Sequence, residues 1–204
     1  MSVLAGLVLV ACAQAGGGES GPTRAAPEVT AGQRQALFAS GCFWCTEKDF
    51  EGLPGVLSVE SGYIGGAVTA PSYAQVSRGG TGHAEAVRVV YDPARVSYDA
   101  LLEHYWRHVD FTDAGGQFCD RGSQYRPAVF PVDAEQRTKA EASKAGIAAK
   151  FGTAVAVTIE APTPFWLAED YHQDFYKKDP VRYNGYRQGC GRDRRVKELW
   201  GGAK

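Results

Sequence analysis

Residues 35–66 read "QALFASGCFWCTEKDFEGLPGVLSVESGYIGG". The first six residues, "QALFAS", form a short apolar run with the character of a strand. The chain then passes directly into "GCFWCTEKDFEGLPG". There Glu47, Lys48 and Glu51 alternate with Phe50 and Leu53, and Gly52, Pro54 and Gly55 stop the pattern. That predicts a helix of about two to three turns starting at or near Cys42. "VLSVESGYIGG" (56–66) reads as a second strand that ends in glycines. The stretch is therefore a β-α-β unit with a cysteine at its first strand-to-helix junction.

Downstream, residues 67–83 read as an ordered loop and 84–92 ("AEAVRVVYD") as a strand. Residues 97–109 read as a helix with Ser97 as its cap. A long Gly-rich loop covers 110–126, a strand 127–132, and Asp133 caps a helix that runs to Phe151. Residues 154–161 form the last clear strand and 169–178 a short helix, before a tail that ends in "QGCGRDRRVKELWG". The order β-α-β-β-α-β-α-β predicts an α+β fold. It is a two-layer α/β sandwich with a mixed sheet around a split βαβ (ferredoxin-like) core, with long loops and an irregular C-terminal tail. Ordered loops of this length in a compact domain are usually functional.

The chain has 204 residues and a formal net charge of -1, with acidic and basic residues interspersed. No basic patch argues for nucleic acid; the cluster "CGRDRRVK" reads as a solvated surface. Residues 1–15 read as a signal segment with an apolar run from Val3 to Ala11, too short to span a bilayer comfortably. "LVAC" resembles the lipobox of bacterial lipoproteins, which makes Cys12 the lipidation candidate. "AQA" (13–15) fits the cleavage site of a plain secreted form, and the absence of a basic start weakens both. The expected location is exported, periplasmic or membrane-anchored, or cytoplasmic if the start is misassigned. Residues 16–33 read as a flexible linker, and 34–204 as the catalytic domain.

The five cysteines are Cys12, Cys42, Cys45, Cys119 and Cys190. A cysteine at a strand-to-helix junction faces the unpaired N–H groups of the first turn, and those donors favour the thiolate. Cys42 is so placed, although a buried cysteine is also an ordinary small hydrophobe. A Cys-x-x-Cys with Cys45 admits two other readings. One is a thioredoxin-like disulfide oxidoreductase, but the pair between the sulfurs is Phe43 and Trp44, neither small nor proline. The other is a zinc module that adds two of Cys119, Cys190 or His172. Structural zinc sites usually offer two close pairs, and here there is one. His104 and His108, spaced i, i+4, lack the glutamate of a zinc hydrolase motif. No metal is expected.

"GCFWCTE", followed by "SGYIGG", "PSYAQVSRGGTGHAEAV", "DRGSQYRP" and "EDYHQDFYKK", resembles the class A peptide-methionine sulfoxide reductases from about Leu37 to Gly201. Cys45 stands where most members carry glycine. The resemblance implies reduction of methionine-S-sulfoxide, in oxidised proteins or as the free amino acid, with no bound cofactor; the sequence does not fix the oligomeric state, and a monomer is the expectation. It implies Cys42 as the nucleophile, which becomes a sulfenic acid. Phe43 and Trp44 match the family's pocket for the substrate methyl group, and Glu85 its proton donor. Tyr73 and Tyr125 match the tyrosines that hydrogen-bond the sulfoxide, and Asp120 the loop aspartate that positions the site. His83, close to Glu85, reads as structural.

The sulfenic acid needs a second thiol. Cys190, Gly-flanked in a flexible tail, is the first choice because many family members keep a resolving cysteine there. Cys45, one turn from Cys42, is the alternative or a second relay step, and Cys119 is a minor candidate. A thioredoxin-like dithiol is the expected external reductant.

Overall fold

The computed structural model describes residues 23–201. The expected signal segment and Cys12 lie outside the described residues. The strands are β1 (Arg24–Ala25), β2 (Arg34–Ser40), β3 (Val56–Ile64), β4 (Ala84–Tyr91), β5 (Gly116–Gln117), β6 (Asp120–Arg121), β7 (Pro127–Val129), β8 (Thr158–Ile159) and β9 (Trp166–Leu167). The helices are α1 (Phe43–Phe50), α2 (Tyr73–Ser77), α3 (Tyr98–Trp106), α4 (Ala134–Phe151), α5 (Phe175–Lys178), α6 (Pro180–Gly189) and α7 (Arg192–Gly201), with a 3-10 turn at Ser123–Tyr125.

The main sheet runs β1-β9-β3-β4-β2-β7-β8. β4 is antiparallel to both β2 and β3 and lies between them. β2 and β3 are therefore parallel to each other, joined through α1, with β4 inserted: a split βαβ unit. β7 pairs antiparallel to β2 on its other side and parallel to β8, so the sheet is mixed.

The period-2 alternation of β2 divides its side chains between two faces. Ala36 and Phe38 join the large core under the helices, with Val87 and Val89 of β4 and Leu101, Tyr105 and Trp106 of α3. Leu37 and Ala39 face a smaller cluster with Ala84, Ala86, Phe130 and Phe165. Phe38 stacks on Phe50 at 4.9 Å between ring centroids and on Tyr105 at 5.2 Å. Burying each such side chain contributes roughly 1.5–3 kcal/mol. The same alternation puts Glu85 on the helix side of β4, in register with Val87 and Val89 and directly beneath α1.

Several expectations are corrected. The tail is helical: α6 starts at Pro180 behind the Asp179 cap, and α7 follows after Cys190 and Gly191. Part of the 16–33 linker is ordered, since β1 pairs with β9 and the Thr23 hydroxyl donates to the Pro71 carbonyl at 2.8 Å. The 67–83 segment contains α2, opened by a capping box between Ser72 and Gln75. The 169–178 helix shrinks to Phe175–Lys178, because Asp174 adopts a left-handed backbone (φ 53°). "CGRDRRVK" is not simply a solvated surface: Arg192 is 2% exposed. No helix of the described residues is long and apolar enough to cross a membrane.

Candidate active site

Cys42 is the N-cap residue of α1. Its carbonyl accepts from the amides of Cys45 (3.2 Å) and Thr46 (3.3 Å) and so opens the helix. The preceding Gly41 has φ +83°, and a Cβ there would stand 2.6 Å from Gln117 Cβ. Only glycine permits that approach, and it lets the 110–126 segment close over the junction. Gln117 is fully buried; its Oε1 accepts from the Asp110 amide at 2.8 Å and its Nε2 donates to the Asp110 carbonyl at 2.9 Å. β5 and β6 form a hairpin that turns at Phe118 and Cys119 and delivers Asp120 to the site.

The expected thiolate is corrected. Burial pushes the Cys42 thiol well above its usual range; the contact with Cys45 and the charge of Glu85 add to this, and a hydrogen bond with Tyr186 opposes it. The physical reason lies in the first turn of α1. The Phe43 amide, a donor that was expected to face the sulfur, donates instead to Glu85 Oε2 at 3.1 Å. Cys45 shifts the other way. The hydrogen bond from Cys42 lowers it, against its burial, and the positive charges of Arg192 and Arg187 help.

Glu85 is 2% exposed, and burial raises its pKa to about 8. It therefore holds a proton at neutral pH and can give one up in the site. Tyr73 is pushed up to about 12, by burial first and then by the charges of Glu85 and Cys42. Tyr125 is raised by burial and by Glu85, Tyr73 and Asp120. Asp120 is raised by burial and accepts a hydrogen bond from the Tyr186 hydroxyl. The structure thus brings Cys42, Glu85, Tyr73, Tyr125 and Asp120 to one place from four separate segments.

Phe43 and Trp44 have different surroundings. Phe43 is buried in the main core, against Tyr63 (5.8 Å), Tyr73 (6.5 Å) and His172 (4.9 Å). Trp44 is only partly buried; it stacks on Phe175 at 3.6 Å and meets Tyr186 edge-on at 6.0 Å. The Trp44 indole N–H donates to His172 Nδ1 at 3.0 Å. Burial lowers His172 to about 4, so it stays neutral and can accept that bond. The result is an aromatic wall beside the sulfur.

Several members were not anticipated from sequence. Tyr186 touches both Cys42 and Asp120 from α6. Glu169 accepts from the Tyr73 amide at 2.7 Å and the Tyr63 hydroxyl at 2.8 Å, which fixes Tyr73. Glu47, raised by burial to about 7, accepts from the Ser61 hydroxyl and the Asp174 amide and ties α1 to the turn before α5. Glu169 and His172 sit in the quoted "EDYHQDFYKK" motif, a signal of importance without a signal of partner. Tyr186 lies in a segment with no apolar period to mark it. His83 is structural: its ring accepts from the Gly66 amide at 3.2 Å and contacts the Val68 carbonyl at 2.8 Å.

Cys190 is the C-cap residue of α6 and is disulfide-bonded to Cys119, with the Cα atoms 4.9 Å apart. It was expected free on a flexible tail. Cys42 and Cys45 are free thiols, both buried.

A sequence model described as PMSR, Peptide methionine sulfoxide reductase, matches residues 34–204. Peptide methionine sulfoxide reductase MsrA 2 of Caulobacter vibrioides is 51% identical over 197 residues, covering 96% of this chain and 98% of the relative. The MsrA of Limosilactobacillus reuteri is 49% identical over 168 residues, 81% of this chain and 95% of the relative. Among solved structures, the reduced form of Mxr1 from Saccharomyces cerevisiae superimposes with a TM-score of 0.71 at 28% identity, over 78% of this chain and 91% of that one. A buried thiol, a protonated carboxyl, two tyrosines and an aromatic wall on this fold, together with half-identity to these relatives, lead to one assignment: the chain belongs to the peptide methionine sulfoxide reductase family, oxidoreductases that return methionine sulfoxide to methionine.

Proposed function

We propose that Cys42 attacks the sulfur of methionine-S-sulfoxide while Glu85 protonates the departing oxygen. The observation that carries this reading is the pairing at the α1 N-terminus. One residue presents the sulfur, and the amide of the next holds the proton-bearing carboxyl beside it. The step balances as sulfoxide plus thiol giving thioether plus sulfenic acid: Cys42 Sγ bonds to the sulfoxide sulfur, the protonated oxygen passes to Sγ as its bond to the substrate sulfur breaks, methionine leaves, and the thiol proton replaces the one Glu85 gave. Tyr73 and Tyr125 hydrogen-bond the sulfoxide oxygen, and Asp120 positions the site through Tyr186. Trp44, backed by Phe43, receives the methyl group.

Cys45 resolves the sulfenic acid by expelling water and forming a Cys42–Cys45 disulfide. Its contact with Cys42 and its lowered pKa support it over Cys190, whose sulfur is bonded to Cys119. A thioredoxin-type dithiol protein is the external reductant; another solved structure is of Mxr1 in complex with Trx2. The substrates are oxidised proteins or the free amino acid, and the chain acts as a monomer. Export, through a signal segment over residues 1–15 with Cys12 as the lipidation site, rests on the apolar Val3–Ala11 run and "LVAC".

Turnover on the separated sulfoxide epimers tests the reaction. The wild type consumes the S epimer, and Cys42→Ser consumes neither. Turnover surviving in Cys42→Ser overturns the assignment. Metabolic labelling with a fatty acid, lost in Cys12→Ala, tests the anchor.

A further inference from the structure

Cys119 occupies the tip of the β5–β6 hairpin, immediately before Asp120, and Cys190 caps the end of α6. The two sulfurs and an Asp120 carboxylate oxygen all lie within 4.8 Å of one another. Asp120 Oδ1 faces Cys119 Sγ at 3.9 Å. Among the described residues, no other three His, Cys, Asp or Glu side chains converge this closely. Bonded to each other, the sulfurs are poor ligands. Opened to thiols, they complete a set of two thiolates and a carboxylate, the donors that zinc and related soft cations select.

The spacing suits such an ion. Zinc holds thiolate sulfur at about 2.3 Å and carboxylate oxygen at about 2.0–2.2 Å, so neighbouring ligand atoms of its tetrahedron stand roughly 3.6–3.8 Å apart. The approach of Asp120 to Cys119 is already on that scale. Cys190 has only to move its sulfur out of bonding distance. It lies between Gly189 and Gly191, whose φ of +67° is in the left-handed region, and glycine backbone yields easily.

The surroundings of the cluster fit as well. Asp120 Oδ2 accepts from the Tyr186 hydroxyl. That leaves Oδ1 for the ion and fixes the carboxylate from behind, as outer partners of metal ligands do. Cys119 is exposed, and a surface groove of about 550 Å³ beside Cys190 gives a water access to the fourth position. In that groove Asp110, Asp113 and Glu198 outnumber Arg194 and Arg195. Arg192 also acts on Asp120 through its charge. Two thiolates and a carboxylate still bring more negative charge than a divalent ion brings positive.

We propose that Cys119, Cys190 and Asp120 form an inhibitory binding site for a zinc-like divalent cation, open only when the disulfide is reduced. A dithiol reductant opens the disulfide to two thiols and itself closes to a disulfide. The ion then displaces one proton from each thiol and binds both sulfurs and Asp120 Oδ1. Occupancy ties down the carboxylate that positions the active site through Tyr186, and so slows methionine release. That last step rests on the role proposed above for Asp120; the binding does not.

The test uses cadmium alone, a softer ion of the same preference. The full chain carrying Cys42→Ser and Cys45→Ser keeps only the outer pair. Equilibrium dialysis and the ultraviolet thiolate-to-cadmium band are expected to show one ion on it when reduced and none when Cys119–Cys190 is bonded. Adding Cys190→Ser abolishes the binding, and adding Tyr186→Phe weakens it by about 10–100-fold. Wild type, titrated in parallel, gains one further ion on reduction of the outer disulfide. Cadmium slows the first methionine release of reduced wild type but not of reduced Cys119→Ser. No gain of an ion on reduction, in either chain, overturns the site. Equal slowing in Cys119→Ser puts the inhibition on the inner thiols and overturns it too. No methionine from cadmium-free wild type overturns the proposed reaction instead, and the dialysis result still decides the site.

Discussion

The Phe43 amide donates to Glu85 Oε2 at 3.1 Å. This one bond ties the strand that carries the acid to the helix that carries the thiol. It also takes from Cys42 the backbone donor that would otherwise favour its thiolate. The resting site accordingly holds neutral partners, a thiol and a carboxylic acid, and charge develops only as the sulfoxide reacts.

Glu85→Gln keeps an acceptor for the Phe43 amide but has no proton to give. Its rate on methionine sulfoxide is expected to fall by roughly 10²–10⁴ with the fold intact. Wild-type kcat/KM is expected to decline as pH rises through about 8, where Glu85 loses its proton. The variant lacks that decline, and a pH profile of both enzymes checks it.

Stability follows the same carboxyls. The folded pKa values of Glu85 and Glu47, about 8 and about 7, lie above the ordinary 4.5. Between those values the folded chain holds protons that the unfolded chain has released, so stability falls as pH rises from about 4.5 towards 8. Glu47→Gln is expected to melt higher than wild type at pH about 8 and no higher at pH about 4.5. Thermal melts at the two pH values measure this.

Gly41→Ala places a Cβ 2.6 Å from Gln117 Cβ at a backbone φ of +83°. The strained backbone alone costs on the order of 1–3 kcal/mol, and Gln117 must move. Because Gln117 is paired with Asp120 across the β5–β6 hairpin, turnover falls along with the melting temperature. A fully active variant would show that the hairpin is not held by this approach.

Arg192 is buried and donates to the Ser40 carbonyl (2.9 Å), the Ser40 hydroxyl (3.0 Å) and the His108 carbonyl (2.7 Å). It also pairs with Asp49 at 3.4 Å. Arg192→Met strands those acceptors and is expected to cost about 3–5 kcal/mol in denaturant unfolding. A solvated-surface arginine would cost almost nothing.

The split βαβ was legible because "QALFAS" and "AEAVRVVYD" alternate cleanly and the glycines and Pro54 punctuate α1. Cys42 was legible as the residue at the junction. The C-terminal helices were not. α6 carries Gly185 and Gly189, and α7 is mostly charged, so neither shows an apolar stripe. They are held by buried ionic and aromatic contacts of Arg192, Arg187 and Tyr186, which have no period in sequence. The Ser72–Gln75 capping box was a readable signal for α2 inside a stretch read as loop. The Cys42 thiolate expectation failed because burial and the diversion of the Phe43 amide depend on residues far along the chain, which local spacing does not reveal.

The most direct measurement starts from the redox arrangement seen here, Cys42 and Cys45 reduced and Cys119–Cys190 bonded. One equivalent of methionine-S-sulfoxide is added, and the disulfides are mapped by mass spectrometry. The expected result is one methionine released per chain and a new Cys42–Cys45 disulfide, with Cys119–Cys190 intact. A disulfide from Cys42 to Cys190, or methionine released with Cys42 still a free thiol, would contradict the account.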